Sequence, residues 1–247
     1  MASPRLLLEI AANSLASALA AQAGGADRVE LCENLGEGGA TPSYGTLALA
    51  RERLRIPLYV LIRPRGGDFV YSPDEWEAMR RDVELCARLG CDGVVIGALD
   101  AAGNVDVAGC RVLAEAAGTM GITFHRAFDC VADRAGALED VVALGCERLL
   151  TSGGADDALR GAATIATDIA RADGRVALMA GAGLAAGNIA EVVRVSGARE
   201  FHASAKVLLP GQGRDGPAGL GKAHWRSDSA RVRQLRQQLD ACVVDGS

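Results

Sequence analysis

The chain has 247 residues, with 26 Lys and Arg against 31 Asp and Glu, a formal net charge of −5 and no basic cluster. That balance argues against nucleic acid or an anionic membrane as partner, and no run approaches the ~20 apolar residues of a membrane span. Apolar residues make up 49% and aromatics 4%, so Ala, Leu and Val must build one sizeable core; seven cysteines without a CxxC pair read as reduced thiols in a cytoplasmic protein.

Arg5 to Ala11 predicts a strand with Leu6, Leu8 and Ile10 on one face and Glu9 on the other. Glu9 and Asn13 interrupt the apolar start, which therefore reads as a first strand and helix rather than a leader. Asn13 or Ser14 caps a helix running to Gly24, and a second strand follows from Arg28 to Cys32. A loop rich in glycine, Glu33 to Pro42, leads onward; the third strand, Leu58 to Arg63, empties into a long loop carrying Arg65 and Asp68. Ser72-Pro-Asp-Glu75 is a capping box with Pro in the first turn, and Trp76, Met79, Val83 and Cys86 recur at helical spacing behind it.

The fourth strand ends at Gly97 and a helix spans about 107–117. His125, Arg126 and Asp129 follow the fifth strand, Thr151-Ser-Gly-Gly154 the sixth, and Gly181-Ala-Gly-Leu184 the seventh, Val176 to Ala180. The eighth, Glu200 to Ser204, precedes a stretch at about 207–224 whose glycines predict a mobile flap before a last helix from Asp228.

Gly25-Ala-Asp-Arg-Val-Glu-Leu-Cys32 recurs in pattern at Gly90, Gly145 and Gly197: a glycine that ends a helix, a small residue, a charge or Arg, then a short apolar strand. With further strands between the copies, this periodicity predicts one (β/α)8 TIM barrel over residues 1–247. Counting from each glycine, the fourth residues are Val29, Val94, Leu149 and Phe201, which suit the face covered by helices. The fifth and seventh include Glu30, Cys32, Ser152, His202 and Ser204, which point inward.

Collected at the C-terminal rim, Glu9, Glu30, Arg63, His125 and His202 form a candidate acid–base pocket. Arg65, Ser152, Gly181, Gly183 and Ser204, with Asn188 and Lys206 nearby, form a candidate anion or phosphate site, since loops after the seventh and eighth strands offer backbone N–H groups and a helix N-terminus. Cys32 is a candidate soft-metal ligand with His125 or His202 as partner. The alternative for Glu9, Glu30 and Arg63 is a charge cluster that fills the barrel and neutralises itself.

Gly24-Gly-Ala-Asp-Arg-Val-Glu-Leu-Cys32, Glu37-Gly-Gly-Ala-Thr-Pro-Ser43, Ile62-Arg-Pro-Arg-Gly-Gly-Asp-Phe69, Thr123-Phe-His-Arg-Ala-Phe-Asp129, Thr151-Ser-Gly-Gly154 and Glu200-Phe-His-Ala-Ser-Ala205 together resemble the CutC family of copper homeostasis proteins. The resemblance implies a cytoplasmic barrel and Cu(I) binding by cysteines ending the first two strands. Cys32 matches the second, but Ala11 stands at the first. Two functions follow as expectations: copper homeostasis through Cu(I) or another ligand at the mouth, or an enzyme (lyase, isomerase or hydrolase) acting on a small anionic or phosphorylated substrate. A homodimer is the expected assembly, as barrels of this kind often pair.

Overall fold

The computed structural model describes residues 5–211 and 223–244. Eight parallel strands, β1 (Leu7–Ala12), β2 (Arg28–Leu31), β3 (Leu58–Leu61), β4 (Gly93–Ile96), β5 (Gly121–Phe124), β6 (Arg148–Thr151), β7 (Ala177–Gly181) and β8 (Glu200–Ala203), close into a barrel. Each pairs with the next, and β8 returns to β1 with Leu7 opposite Glu200 and Glu9 opposite His202. Around them run α1 (Leu15–Gly24), α2 (Tyr44–Arg53), α3 (Pro73–Leu89), α4 (Val107–Ala117), α5 (Arg134–Ala143), α6 (Ala162–Ala172), α7 (Ile189–Ser196) and α8 (Ser229–Val244). The predicted (β/α)8 barrel is what forms. None of the described helices is long and apolar enough to cross a membrane.

The repeat glycines act as their spacing predicts: Gly25, Gly90, Gly145 and Gly197 all hold left-handed φ where a helix releases the chain toward a strand. Val29, Val94, Leu149 and Phe201 are fully buried in the core shared with the helices. At α3 the capping box is complete: Ser72 Oγ accepts from Glu75 N, and Ser72 N donates to the Glu75 side chain.

Inside the barrel, one layer comes from the even strands at Arg28, Gly93, Arg148 and Glu200. Gly93 leaves room for the ring of Tyr59, which a Cβ there would approach to 2.1 Å. Both guanidinium groups stack on that ring, 5.2 Å (Arg28) and 5.3 Å (Arg148) from its centre. Arg28 Nε donates to Glu9, and its Nη2 donates to Glu200 at 2.7 Å. Arg148 donates to the same Glu200 and, at 2.9 Å, to Glu147. Two cations thus balance Glu9 and Glu200, the arrangement under which buried charges are tolerated.

The predicted flap at about 207–224 needs correction, because its ends are ordered: β9 (Lys206–Leu209) and β10 (His224–Ser227) pair as an antiparallel ribbon, with the Lys206 ammonium 4.8 Å from the Trp225 ring centre. Val207, Leu208, Leu209 and Trp225 favour strand strongly enough to outweigh the nearby glycines. The rest of that stretch, 212–222, lies outside the described residues.

Candidate active site at the barrel mouth

The C-terminal ends of the strands open into a cavity of about 480 Å³. Its floor is the next inward layer, where Glu30 on β2, Leu150 on β6 and His202 on β8 line the cavity. Arg63, His125, Arg126, Gly183, Ser204 and Lys206 line its walls. Strand order and residue parity bring Glu30, Arg63, His125 and His202 to one cavity, with Glu9 directly beneath.

Glu9 is 1% exposed and fully engaged. Arg28 holds Oε2, and His202 Nδ1 lies 2.7 Å from Oε1. Burial works to raise its pKa, but the Arg28 charge and the bond to His202 win and hold the carboxyl down at about 2. Glu9 is thus a permanent anion that orients His202 rather than a proton carrier. For His202, burial opposes charge, yet Glu30 and Glu9 outweigh it and raise the pKa above its ordinary value.

Glu30 differs from Glu9 in having no hydrogen bond or ion pair among the described residues. It is 5% exposed. Burial pushes its carboxyl up to about 7, with His202 pulling it down and Glu9 pushing it further up. A carboxyl that titrates near neutrality on a cavity floor is the usual form of a general base.

Arg63 does not pair with either carboxylate. Its Nη1 donates to the carbonyls of Glu37 and Gly39, and Nη2 to that of Gly67, each at 2.8 Å, so the side chain ties together the loops after β2 and β3 and forms no ion pair among the described residues. His125 accepts a hydrogen bond at Nδ1 from the N–H of Ala127 at 3.1 Å. That bond places the ring proton on Nε2. Burial, aided by the Arg63 charge, lowers its pKa to about 3, so His125 is a neutral donor.

Of the candidate anion ligands, Gly183 and Ser204 line the cavity and three others do not. Gly183 holds a φ of +68°. Gly181 is a packing glycine whose added Cβ would meet Leu150 at 2.5 Å. Ser152 is fully buried and donates to Asp129 Oδ2 at 2.9 Å, within a cluster where Thr151, Gly154 and Arg126 also bond Asp129. Arg65 faces outward, bonded to Glu75 at 2.6 Å and paired with Asp68 at 3.0 Å. Asn188 braces the loop after β7 by accepting from Ala185 N and donating to the Gly183 carbonyl.

Cys32 lies on the interior face as expected, but with Leu35, Tyr59, Leu61 and Val95 rather than on the cavity wall. A Cβ on Gly39 would come within 3.9 Å of its sulfur, so the loop passes closely over it. Burial, then the charges of Glu30 and Glu33, push its thiol well above the ordinary range.

Sequence reading missed Arg28, Arg148 and Glu200 as the network under the site. They are the third residues after Gly25, Gly145 and Gly197, and so carry the same inward parity as Glu30 and His202.

Strand ring, charged interior and polar mouth define a (β/α)8 barrel with a cavity at the C-terminal ends of its strands. The chain belongs to the CutC family, whose profile matches residues 6–207. It is 61% identical over 236 residues to family protein CutC of Xylella fastidiosa, covering 94% of this chain and 88% of the relative. With that of Xanthomonas axonopodis pv. citri it shares 58% over 239 residues, covering 94% and 98%. The crystal structure of CutC from Streptococcus agalactiae, a protein assigned to copper homeostasis, superimposes with a TM-score of 0.77 at 32% identity, covering 81% of this chain and 98% of that one.

Proposed function

We propose that the mouth is a catalytic pocket in which Glu30 accepts a proton from a small anionic substrate. The observation that carries this reading is Glu30 itself, buried without a hydrogen-bond or ion-pair partner among the described residues, in a cavity whose other ionic groups, Arg63, Arg126, Lys206 and His202, are cationic or poised to be. Leaving a carboxyl unpaired there costs stability, which points to a task at that position. Gly183, Ser204 and Lys206, at the ends of the seventh and eighth strands, form the side suited to a phosphate or carboxylate.

Copper handling reaches this chain through its Streptococcus agalactiae relative. The donors here fit Cu(I) poorly, because Cu(I) selects thiolates and Cys32 is a buried, protonated thiol with Ala11 where the resemblance places a second cysteine. Among the described residues, the cluster able to hold a metal is Glu9, Glu30 and His202, with ligand atoms within 4.8 Å of one another. Two carboxylates and an imidazole suit a harder divalent ion, and Glu9 is already engaged by Arg28. The seven cysteines, all free thiols, support a cytoplasmic setting.

The test is solvent-deuterium exchange. Small phosphorylated and carboxylated carbonyl compounds are incubated with the protein in D2O, and carbon-bound proton loss is followed by NMR. Exchange that disappears in Glu30→Gln supports the reading; a panel that neither exchanges nor raises the melting temperature overturns it.

A further inference from the structure

We propose that His125 and Arg63 form an oxyanion site closed by Phe69, and that the substrate is a carbonyl compound whose oxygen becomes an enolate there. The proposal rests on the acid–base reading of the mouth and names the chemistry that Glu30 would serve.

Three observations converge. His125 Nε2 and Arg63 Nε are both buried and have no hydrogen-bond partner among the described residues, although each parent residue lines the cavity and is only 5% exposed. An unpaired buried N–H is costly, and two that pack on the same Phe69 ring, one after β3 and one after β5, mark a place prepared for a ligand oxygen. The donor on His125 is fixed by structure: the Ala127 N–H occupies Nδ1, so Nε2 carries hydrogen, and the low pKa keeps the ring from becoming an imidazolium. A neutral imidazole donor polarises a carbonyl without risk of surrendering its proton irreversibly.

Phe69 supplies the cover. Its ring centre lies 5.1 Å from the His125 ring and 5.1 Å from the Arg63 guanidinium carbon, so one side chain packs on both donors. Its backbone is pinned, the carbonyl accepting from Leu99 N at 2.8 Å, while Gly67, Asp68 and Val70 around it are exposed. The two donors are covered in this structure, and a ligand would reach them by turning the Phe69 side chain aside.

In the step itself, a carbon–hydrogen bond next to the carbonyl breaks and its proton goes to the Glu30 carboxylate. The released pair forms the carbon–carbon double bond, and the carbonyl π pair moves to oxygen, where the two N–H groups meet the negative charge. Glu30 on β2 and His125 after β5 stand on different walls, three strands apart in the ring, as donor and base on one substrate must.

The probe is a set of small hydroxamates, planar mimics of an enediolate, added to full-length protein with 15N-labelled histidine. The expected result is binding accompanied by a downfield shift of the His125 Nε2 proton, weakened roughly 10- to 100-fold in His125→Ala, as for loss of one hydrogen bond to a charged oxygen. His125→Gln restores part of it, and Phe69→Ala binds more tightly than wild type. Hydroxamates that do not bind, that bind without moving the His125 resonance, or that bind Phe69→Ala less well overturn the proposal. If the His125 signal moves but no compound exchanges deuterium, the oxyanion site stands and the role of Glu30 fails. Exchange with an unmoved His125 signal leaves Glu30 as the base and overturns the oxyanion site.

Discussion

His202 Nδ1 and Glu9 Oε1 lie 2.7 Å apart, and the other oxygen of Glu9 is held by Arg28. The His202 imidazole is therefore attached to a carboxylate held well below its ordinary range, and the cavity floor is held in one orientation by groups beneath it.

Glu9→Gln should be strongly destabilising, by about 3–5 kcal/mol, because it leaves Arg28 and His202 short of a partner in the interior. The sign of the pH effect follows from a folded pKa of about 2. This group's stability is fully present above the ordinary glutamate value near ~4.3 and is lost as pH falls toward the folded value. Urea unfolding between neutral and acidic pH should show a slope in wild type that Glu9→Gln reduces.

Glu30 works in the opposite sense. Its folded pKa of about 7 lies above its unfolded value, so the protein loses stability through this group as pH rises between the two. Glu30→Gln should accordingly stabilise the protein above neutrality, by on the order of 3 kcal/mol, and change it little at low pH. Equal unfolding midpoints for the two proteins at alkaline pH would contradict the placement of this carboxyl.

Thiol reactivity separates Cys32 from the surface. Cys130 is exposed, while Cys32 is fully buried with its thiol raised. Alkylation of native protein followed by peptide mass mapping should label Cys130 first and leave Cys32 unmodified until the protein unfolds. Cys32→Ser should compete with a Cu(I) chelator as wild type does; loss of a tight equivalent in the mutant would restore Cys32 as a copper ligand.

Gly97 tests the placement of His125. A Cβ there would lie 2.4 Å from His125 Nδ1, so Gly97→Ala must displace the ring from its bond to Ala127. The expected costs are about 1–3 kcal/mol of stability, typical of overpacking, and loss of hydroxamate binding. Thermal melts and the His125 NMR signal read the two effects separately.

The fold is legible in the sequence because four glycines align four strands, and alternation then sorts Val29 and Phe201 outward from Glu30 and His202. Parity says which wall a residue faces but not which neighbour it finds, and so Arg63 reads as a partner for Glu9 or Glu30 while Arg28 in fact holds Glu9. Ser152 and Arg65 illustrate a second limit. Each is a polar residue at a rim, but Asp129 and Glu75 claim them, and such claims depend on loop paths that local propensity does not encode. The ribbon formed by Lys206–Leu209 and His224–Ser227 is hidden because its strands meet across an intervening segment whose glycines dominate the local reading.

Glu200 joins Arg28 to Arg148, and it lies on the strand that closes the ring against β1. During synthesis the first seven strands emerge before it, so a nascent barrel holds two stacked guanidinium groups with Glu9 on one and the half-exposed Glu147 on the other, and no buried anion between them. Closure by β8 supplies the missing charge at the same moment as the missing backbone partners. The seam between first and last strands is thus an electrostatic latch, and chains truncated before residue 200 are expected to remain open sheets that chaperones retain.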